Sequence, residues 1–173
     1  MNNISLLLLR LVFAGSMLYG HGLSKWKKLF EGVFLDGSLN FANPIGIGEL
    51  PTLILAVFSE FLAPIFIIFG FKTRFFSFFP AATMFVAVFI VHLGDPFGKI
   101  EKALLFLCVF VILMMTGPGK YSIDKTNSIT TATILFASSF ILYYFLYYQG
   151  VSPIFCALFL FITAGWYISF ARR

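Results

Sequence analysis

The sequence predicts an all-α integral membrane protein with six transmembrane helices. Of its 173 residues, 60% are hydrophobic and only 11% are charged, whereas a soluble domain carries about 25% charged residues. Six apolar segments approach the roughly 20 residues that a membrane-spanning helix needs, and their continuous hydrophobicity favours helices over alternating barrel strands. They are residues 4–23, 51–71, 75–93, 103–117, 129–149 and 153–170.

The first span contains Arg10 within its apolar core and has no basic segment before it. It is therefore expected to be retained rather than cleaved as a signal peptide. The long connection over residues 24–50 begins with KWKKLFEGVFL after Ser24, and in it Trp26 and Leu29 recur at helical spacing among lysines. This pattern predicts an amphipathic helix lying in the membrane interface, followed by a turn-rich loop.

Short connections join the second, third and fourth spans, and Glu101 is expected on the first turn of the fourth. The strongest helix breakers lie in GPGKYSIDKTNS, residues 117–128. They predict a boundary between a four-helix membrane bundle, residues 1–124, and a C-terminal two-helix transmembrane hairpin, residues 125–173. The hairpin has almost no ionisable residues, and its Tyr and Trp side chains are typical of interfacial aromatic belts.

The protein is expected to be a multi-pass protein of the cell (inner) membrane, and its charge distribution favours cytoplasmic termini. Six spans place both termini on one side, and the basic residues favour that side slightly, the more so because Arg10 can snorkel towards it. The terminal side carries Lys72, Arg74, Lys120, Lys125, Arg172 and Arg173. The other side carries Lys25, Lys27, Lys28, Lys99 and Lys102.

Few ionisable side chains occur within or at the ends of the apolar segments, and any chemistry of the chain must involve them. A charge at the bilayer centre costs roughly 3 kcal/mol, so such a residue normally faces a partner, a cavity or a ligand. These residues are Arg10, His21, Glu60, His92, Glu101 and Lys102. All except Lys102 are candidate residues for binding a ligand.

Arg10 and Glu60 fall at similar depths when about 1.5 Å of rise is counted per residue. An ion pair between the first two helices is the least costly arrangement for both charges. Such a pair either forms part of a binding site or only locks the two helices together.

Two histidines and a carboxylate are predicted to gather at the opposite interface. His21 follows Arg10 by about three helical turns, so both point from one face, and His92 reaches about the depth of His21. Glu101 begins the fourth helix on that side. The three side chains predict a proton-handling or quinone-binding cluster. The alternatives are that each group is merely solvated at the head-group boundary, or that the two histidines ligate a haem.

Several other kinds of chemistry have no support. Cys108 and Cys156 lie far apart in apolar runs without a CxxC motif, so they are expected to be buried small hydrophobes. No phosphate-binding glycine loop, nucleophile elbow, HExxH motif or metal-ligating cluster occurs. The net charge of +5 comes from short loops and the C-terminus, which favours lipid head groups over nucleic acid as a partner.

Short motifs surround the candidate residues in a definite order. They are LLRLVFAG at Arg10, GHGLSK at His21, SEFLAPIFIIFGFKTR at Glu60, then His92, IEKALLF at Glu101 and GPGKYSID. Their order and spacing over about residues 5–124 resemble the DoxX family of small bacterial and archaeal membrane proteins. The chain departs from the family pattern in two ways. It has Ala63 and Pro64 where the family usually has paired glycines, and it has a hairpin beyond the usual four-helix unit.

The resemblance implies a four-helix bundle that contacts quinone and works with other subunits, since the family is named after subunits of a quinone-linked thiosulfate oxidoreductase. The first hypothesis is therefore a redox-associated membrane subunit whose first four helices hold quinone. Arg10 and Glu60 would anchor it, and His21, His92 and Glu101 would handle protons. No intrinsic cofactor motif is present, so a partner must supply electrons.

A second hypothesis is a non-catalytic scaffold or assembly subunit of a larger complex, in which the polar residues fix helix packing. A third, a small-solute transporter, is disfavoured because the sequence lacks the broken repeats of such folds.

Overall fold

The computed structural model describes residues 2–35, 39–125, 129–151 and 153–171, and these residues form helices and loops without a strand. Their helices are α1 (Asn3–Val33), α2 (Glu49–Phe69), α3 (Thr73–Val91), α4 (Phe97–Thr116), α5 (Ile129–Tyr148) and α6 (Pro153–Ala171). By length and composition, α1, α2 and α3 could each cross a membrane. The prediction of an all-α membrane protein is confirmed. Arg172 and Arg173 lie outside the described residues.

α1 is longer than predicted. It continues without a break through the lysine-rich segment, so the amphipathic helix predicted there is present as the end of α1. The apolar side of this segment has a protein partner: Trp26 stacks on Phe61 of α2 with 4.9 Å between ring centroids, and Leu29 packs against the same core. The 31 residues of α1 extend about 46 Å, more than the roughly 30 Å of a hydrocarbon core.

The first four helices pack around one apolar core. Buried side chains from each helix meet there, among them Met17 of α1, Ile67 of α2, Met84 of α3 and Phe110 of α4. Lipid tails are as apolar as these side chains, so the helices gain little from the hydrophobic effect. Close packing and the few polar contacts between helices must therefore hold the bundle together.

α5 and α6 form a hairpin that also contacts the bundle. Thr163 Oγ1 of α6 donates a hydrogen bond to Ser139 Oγ of α5 at 3.2 Å. Cys156 is buried, as expected, in a cluster that includes Phe61 of α2. Cys108 of α4 is exposed, so the expectation that it is buried is wrong, because its side chain lies on the outer surface of the helix.

The segment that follows α4 is tied to the ends of α1 and α2. The backbone N–H of Ile123 donates to the carbonyl of Phe69 at 3.0 Å. The N–H of Lys120 donates to Asn3 Oδ1 at 2.9 Å. This segment therefore closes the end of the bundle at which α1 begins.

Gly22 allows α1 and α2 to approach closely at the level of Glu60. A Cβ atom at position 22 would collide with the backbone carbonyl oxygen of Glu60 and lie 2.9 Å from Cα of Phe61. Gly20, in the same turn of α1, has no such neighbour within 4 Å. The backbone contact at Gly22 therefore fixes where the two helices cross.

We expect Gly22→Ala to destabilise the protein, because the added methyl group would force α1 away from the backbone of α2. The loss should be about 1–3 kcal/mol, as for other overpacked sites, and should lower the midpoint of thermal denaturation in detergent. Gly20→Ala is the matched control and should leave the midpoint unchanged or raise it, since alanine favours a helix by about 0.5–1 kcal/mol over glycine. Equal midpoints for the two variants would contradict the close approach.

Candidate functional site

A cavity of about 690 Å³ lies among the first four helices and the loop over residues 39–48. Its apolar walls include the rings of Phe79 and Phe106. Leu55 and Val91 also line it, yet their exposed fractions are 53% and 47%, so the cavity reaches the outer surface of the bundle. Its size suits a drug-sized organic ligand, which typically binds in a pocket of about 300–1,000 Å³.

An ion pair between α1 and α2 lies in the cavity wall. Lys25 Nζ is 2.5 Å from Glu60 Oε2, and the two side chains are 22% and 3% exposed. A charge as deeply buried as Glu60 needs a partner, because an uncompensated buried charge costs several kcal/mol. Lys25 provides this partner while keeping part of its own side chain accessible.

The predicted ion pair between Arg10 and Glu60 is wrong. Arg10 is fully buried, and its guanidinium donates to the backbone carbonyls of Tyr121 and, at 3.5 Å, of Ile68. It packs on Gly70, where any side chain would collide with the guanidinium. Ile68 lies about 12 Å beyond Glu60 along α2, so Arg10 holds the end of this helix rather than its middle.

Of the predicted site residues, His21, Glu60 and His92 line the cavity. The ring of His21 stands edge-on to Phe106, with 5.8 Å between centroids. His92 directly follows α3, and its Nδ1 lies 2.9 Å from Asp95 Oδ2. This hydrogen bond, with Lys99 acting in the same direction, holds the pKa of the Asp95 carboxyl below its ordinary value.

Glu101, like Arg10, does not line the cavity. α4 begins at Phe97, earlier than the predicted start of the fourth span, so Glu101 lies beyond the first turn and is exposed. The neighbouring Lys102 lines the cavity in its place. Adjacent residues of a helix point about 100° apart, so only one of the two side chains lines the cavity.

Widened π-helical turns occur where three helices border the cavity. They are Leu18–Gly22, which contains His21, Phe58–Leu62, which contains Glu60, and Ala87–Val91, which directly precedes His92. Two further π turns, Arg10–Ala14 and Glu31–Leu35, lie outside the described lining of the cavity. Such turns redirect neighbouring side chains and are frequent at functional sites. Their coincidence with these polar residues is a backbone feature that singles out this cavity.

Sequence reasoning missed most of the cationic lining. Lys25, Lys99 and Lys102 line the cavity. Lys25 and Lys99 were assigned only to the membrane boundary, and Lys102 was not named as a candidate for binding a ligand. One signal was available, since Lys25 follows His21 by one helical turn and therefore shares its face. The extension of α1 beyond the expected span was needed to recognise it.

Two hydroxyl groups join α2 to α3 in the same wall. Ser59 Oγ and Thr83 Oγ1 are 2.6 Å apart, and both residues line the cavity. Each hydroxyl also lies 3.2 Å from a backbone carbonyl of its own helix. Because each has a single hydrogen, one hydroxyl donates to the other while the second donates to its carbonyl.

The lining carries a net positive charge. It includes Lys25, Lys99 and Lys102 but, among the described residues, only the carboxylate of Glu60. Lys99 Nζ lies 3.5 Å from Asp95 Oδ1, outside the lining. In the described part of the chain, Lys102 has no ion-pair partner. The cavity therefore offers N–H donors beside aromatic rings, which suits a ligand with oxygen acceptors on an apolar body.

A metal site is not apparent from the geometry. Over residues 2–35, 39–125, 129–151 and 153–171, no three His, Cys, Asp or Glu side chains are grouped so that they could hold a metal ion.

The DoxX family model matches residues 5–93, just over half of the chain. The chain belongs to the DoxX family. Membership agrees with the three membrane-capable helices and associates the protein loosely with redox-related functions. The match ends before α4, so Lys99, Glu101 and Lys102 of this DoxX protein lie beyond the matched part. No curated protein and no solved structure matches the sequence.

We expect energetic coupling between Lys25 and Glu60. Lys25→Met should cost about 3–5 kcal/mol, because it strands a buried carboxylate. Glu60→Gln should cost less, because the Lys25 side chain is 22% exposed and its ammonium can be hydrated. Thermal or denaturant unfolding in detergent should show that the double variant loses less than the sum of the two single variants.

Arg10→Met combined with Glu60→Gln is the control for this cycle. Arg10 binds backbone carbonyls and not the carboxylate, so its loss should add to that of Glu60→Gln within about 0.5 kcal/mol. Coupling of Glu60 to Arg10 and not to Lys25 would contradict the geometry.

Proposed function

We propose that this DoxX-family protein is a redox-associated membrane subunit that binds quinone in the cavity between α1, α2, α3 and α4. The observation that carries the proposal is the cavity itself, in which the N–H donors of Lys25, Lys102 and His21 adjoin aromatic walls. A quinone head group has two carbonyl acceptors on a flat apolar ring, which matches this combination of donors and rings.

The position of the cavity supports access from the lipid phase. Leu55 and Val91 line it and are also exposed on the outer surface. An isoprenoid tail could leave between these apolar residues while the head group reaches Lys102. The ring of Phe106, which contacts His21 edge-on, would form one wall beside the head group.

Protons and electrons would come from different places. Reduction of a quinone to a quinol consumes electrons and protons in equal number. Lys25, Glu60 and His21 line the cavity and can hold or transfer protons at their side-chain nitrogen or oxygen atoms. The sequence has no CxxC motif or other recognisable electron-carrying motif, so the proposal assigns electron supply to a partner subunit.

We also propose that all six helices cross an inner membrane, as a four-helix bundle and a two-helix hairpin, with cytoplasmic termini. The apolar character of α5 and α6 and the slight excess of Lys and Arg near the terminal side support this arrangement. It would place the loop over residues 39–48 and the lysine-lined cavity towards the outer face.

A second candidate function is a non-catalytic scaffold subunit of a larger complex. The observation that favours it is the direct pairing of Lys25 with Glu60, because each charge is satisfied without a ligand. In that case the ion pair and the close contact at Gly22 would serve only to fix α1 against α2.

We expect Lys102→Met to weaken the binding of decylubiquinone, because it removes an unpaired N–H donor from the cavity. The affinity should fall about tenfold, the value of one hydrogen bond to a charged group, in a fluorescence-quenching titration of the detergent-solubilised protein. Glu101→Gln is the matched control, since Glu101 is adjacent but outside the cavity, and should bind as the wild type does.

His21→Ala and Glu60→Gln should also reduce the quinone retained on purification, whereas Ser139→Ala in α5 should not. Wild-type protein that neither retains quinone nor binds decylubiquinone would contradict the quinone proposal and favour the scaffold function.

We expect membrane-impermeant thiol reagents to label Asn40→Cys, but not Lys125→Cys, in intact cells or spheroplasts. Both residues lie in loops at opposite ends of the bundle, and the chain would first carry Cys108→Ser and Cys156→Ala. Labelling of position 125 alone would reverse the proposed orientation. Labelling of both positions from outside would contradict the number of spans.

A further inference from the structure

A second cavity, of about 900 Å³, lies at the end of the bundle opposite the first, where α1 and α3 begin and α4 ends. Four cationic side chains line it together with the carboxylate of Asp124. They are Lys72, Arg74, Lys120 and Lys125. Among the residues that the structure describes, none of these four cations forms an ion pair. Such a concentration of unpaired positive charge favours an anionic ligand.

α3 begins in this cavity without a side-chain cap. Lys72 precedes the helix and makes no capping hydrogen bond, and no acidic residue occurs in the first turn. The first N–H groups of a helix have no acceptor within the helix, and the helix dipole adds partial positive charge at the same place. Helix starts with these properties bind phosphate and other oxyanions.

Thr73 provides independent evidence for a ligand. It lines the cavity and is fully buried, and its Oγ1 has no hydrogen-bond partner within the described structure. Buried hydroxyl groups almost always have a partner. An oxyanion held at the start of α3 would accept the hydrogen bond that Thr73 can donate.

The backbone before α3 is also unusual. Lys72 has a φ of 40°. Among the described residues, the other positions with positive φ are glycines. Residues in such conformations occur preferentially at ligand-binding sites, where the surrounding structure compensates for the strain. Here the conformation places Lys72 next to the first N–H groups of α3.

We propose that this second cavity binds a phosphate group. The N–H groups at the start of α3 and the Thr73 hydroxyl donate to its oxygens, and Lys72, Arg74 and Lys120 neutralise its charge. The position at the helix ends favours the head group of an anionic phospholipid over free phosphate. Phe75 agrees with this source, because it lines the cavity and is 57% exposed on the outer surface, where an acyl chain would lie.

Native mass spectrometry of the full chain in mild detergent, titrated with phosphatidylglycerol or phosphatidylcholine, tests the proposal. The wild type should bind phosphatidylglycerol more tightly than phosphatidylcholine. Arg74→Gln and Lys120→Gln should each lower that affinity about fivefold, the usual contribution of one basic residue. Lys27→Gln is the matched control, since Lys27 is exposed and lines neither cavity, and it should bind as the wild type does.

Thr73→Val separates a specific site from general attraction, because it leaves the charge unchanged. It should lower phosphatidylglycerol affinity about tenfold without lowering the thermal midpoint, since the hydroxyl has no protein partner to lose. Unchanged lipid affinity in all three cavity variants would overturn the lipid proposal.

Inorganic phosphate in the same titration identifies the source of the phosphate group. If inorganic phosphate displaces phosphatidylglycerol only weakly, at millimolar concentration, the result supports the lipid head group as the source of the phosphate. Tight binding of inorganic phosphate that Thr73→Val abolishes, with no preference for phosphatidylglycerol, would overturn the lipid source and retain the phosphate site. Neither outcome depends on quinone, so this test can fail or succeed independently of the proposed function.

Discussion

A carboxylate buried between membrane helices must be compensated, and the contact of Glu60 with Lys25 determines how the first helices meet. Lys25 can reach Glu60 only if α1 remains helical beyond the first span and approaches α2 closely. Gly22 permits that approach, and the stacking of Trp26 on Phe61 supports it one turn later. One electrostatic requirement therefore accounts for the helical extension of α1 as far as Lys25, for its crossing with α2 and for one polar wall of the first cavity.

The other buried charge is held in a different way, at the other end of the bundle. Arg10 donates to backbone carbonyls at the end of α2 and in the segment after α4. Backbone carbonyls carry no formal charge, and within the described residues Arg10 forms no ion pair. The bundle thus has two polar regions, an ion-paired cavity beside Lys102 and a cationic end beside Thr73.

Hydropathy was sufficient to predict the helices, because a membrane-spanning helix needs a long apolar run and little else. The contact partners of Arg10 and Glu60 were not predictable, because the depth of a residue along its helix does not specify which side chain of a neighbouring helix it faces. The carbonyl of Tyr121, the main acceptor for Arg10, depends on a loop conformation that no sequence motif reveals. The choice between Glu101 and Lys102 depended on how α4 is rotated about its axis, which hydropathy does not specify. The pattern at Trp26 fitted a membrane surface and a neighbouring helix equally well.

The central claim is that the cavity between the first four helices is a quinone site, and photolabelling tests it most directly. A photoreactive quinone analogue added to the membrane-embedded protein should label peptides from α3 and α4 around Phe79 and Phe106, and excess decylubiquinone should suppress the labelling. Labelling confined to α5 and α6, or labelling that excess quinone does not suppress, would contradict the claim.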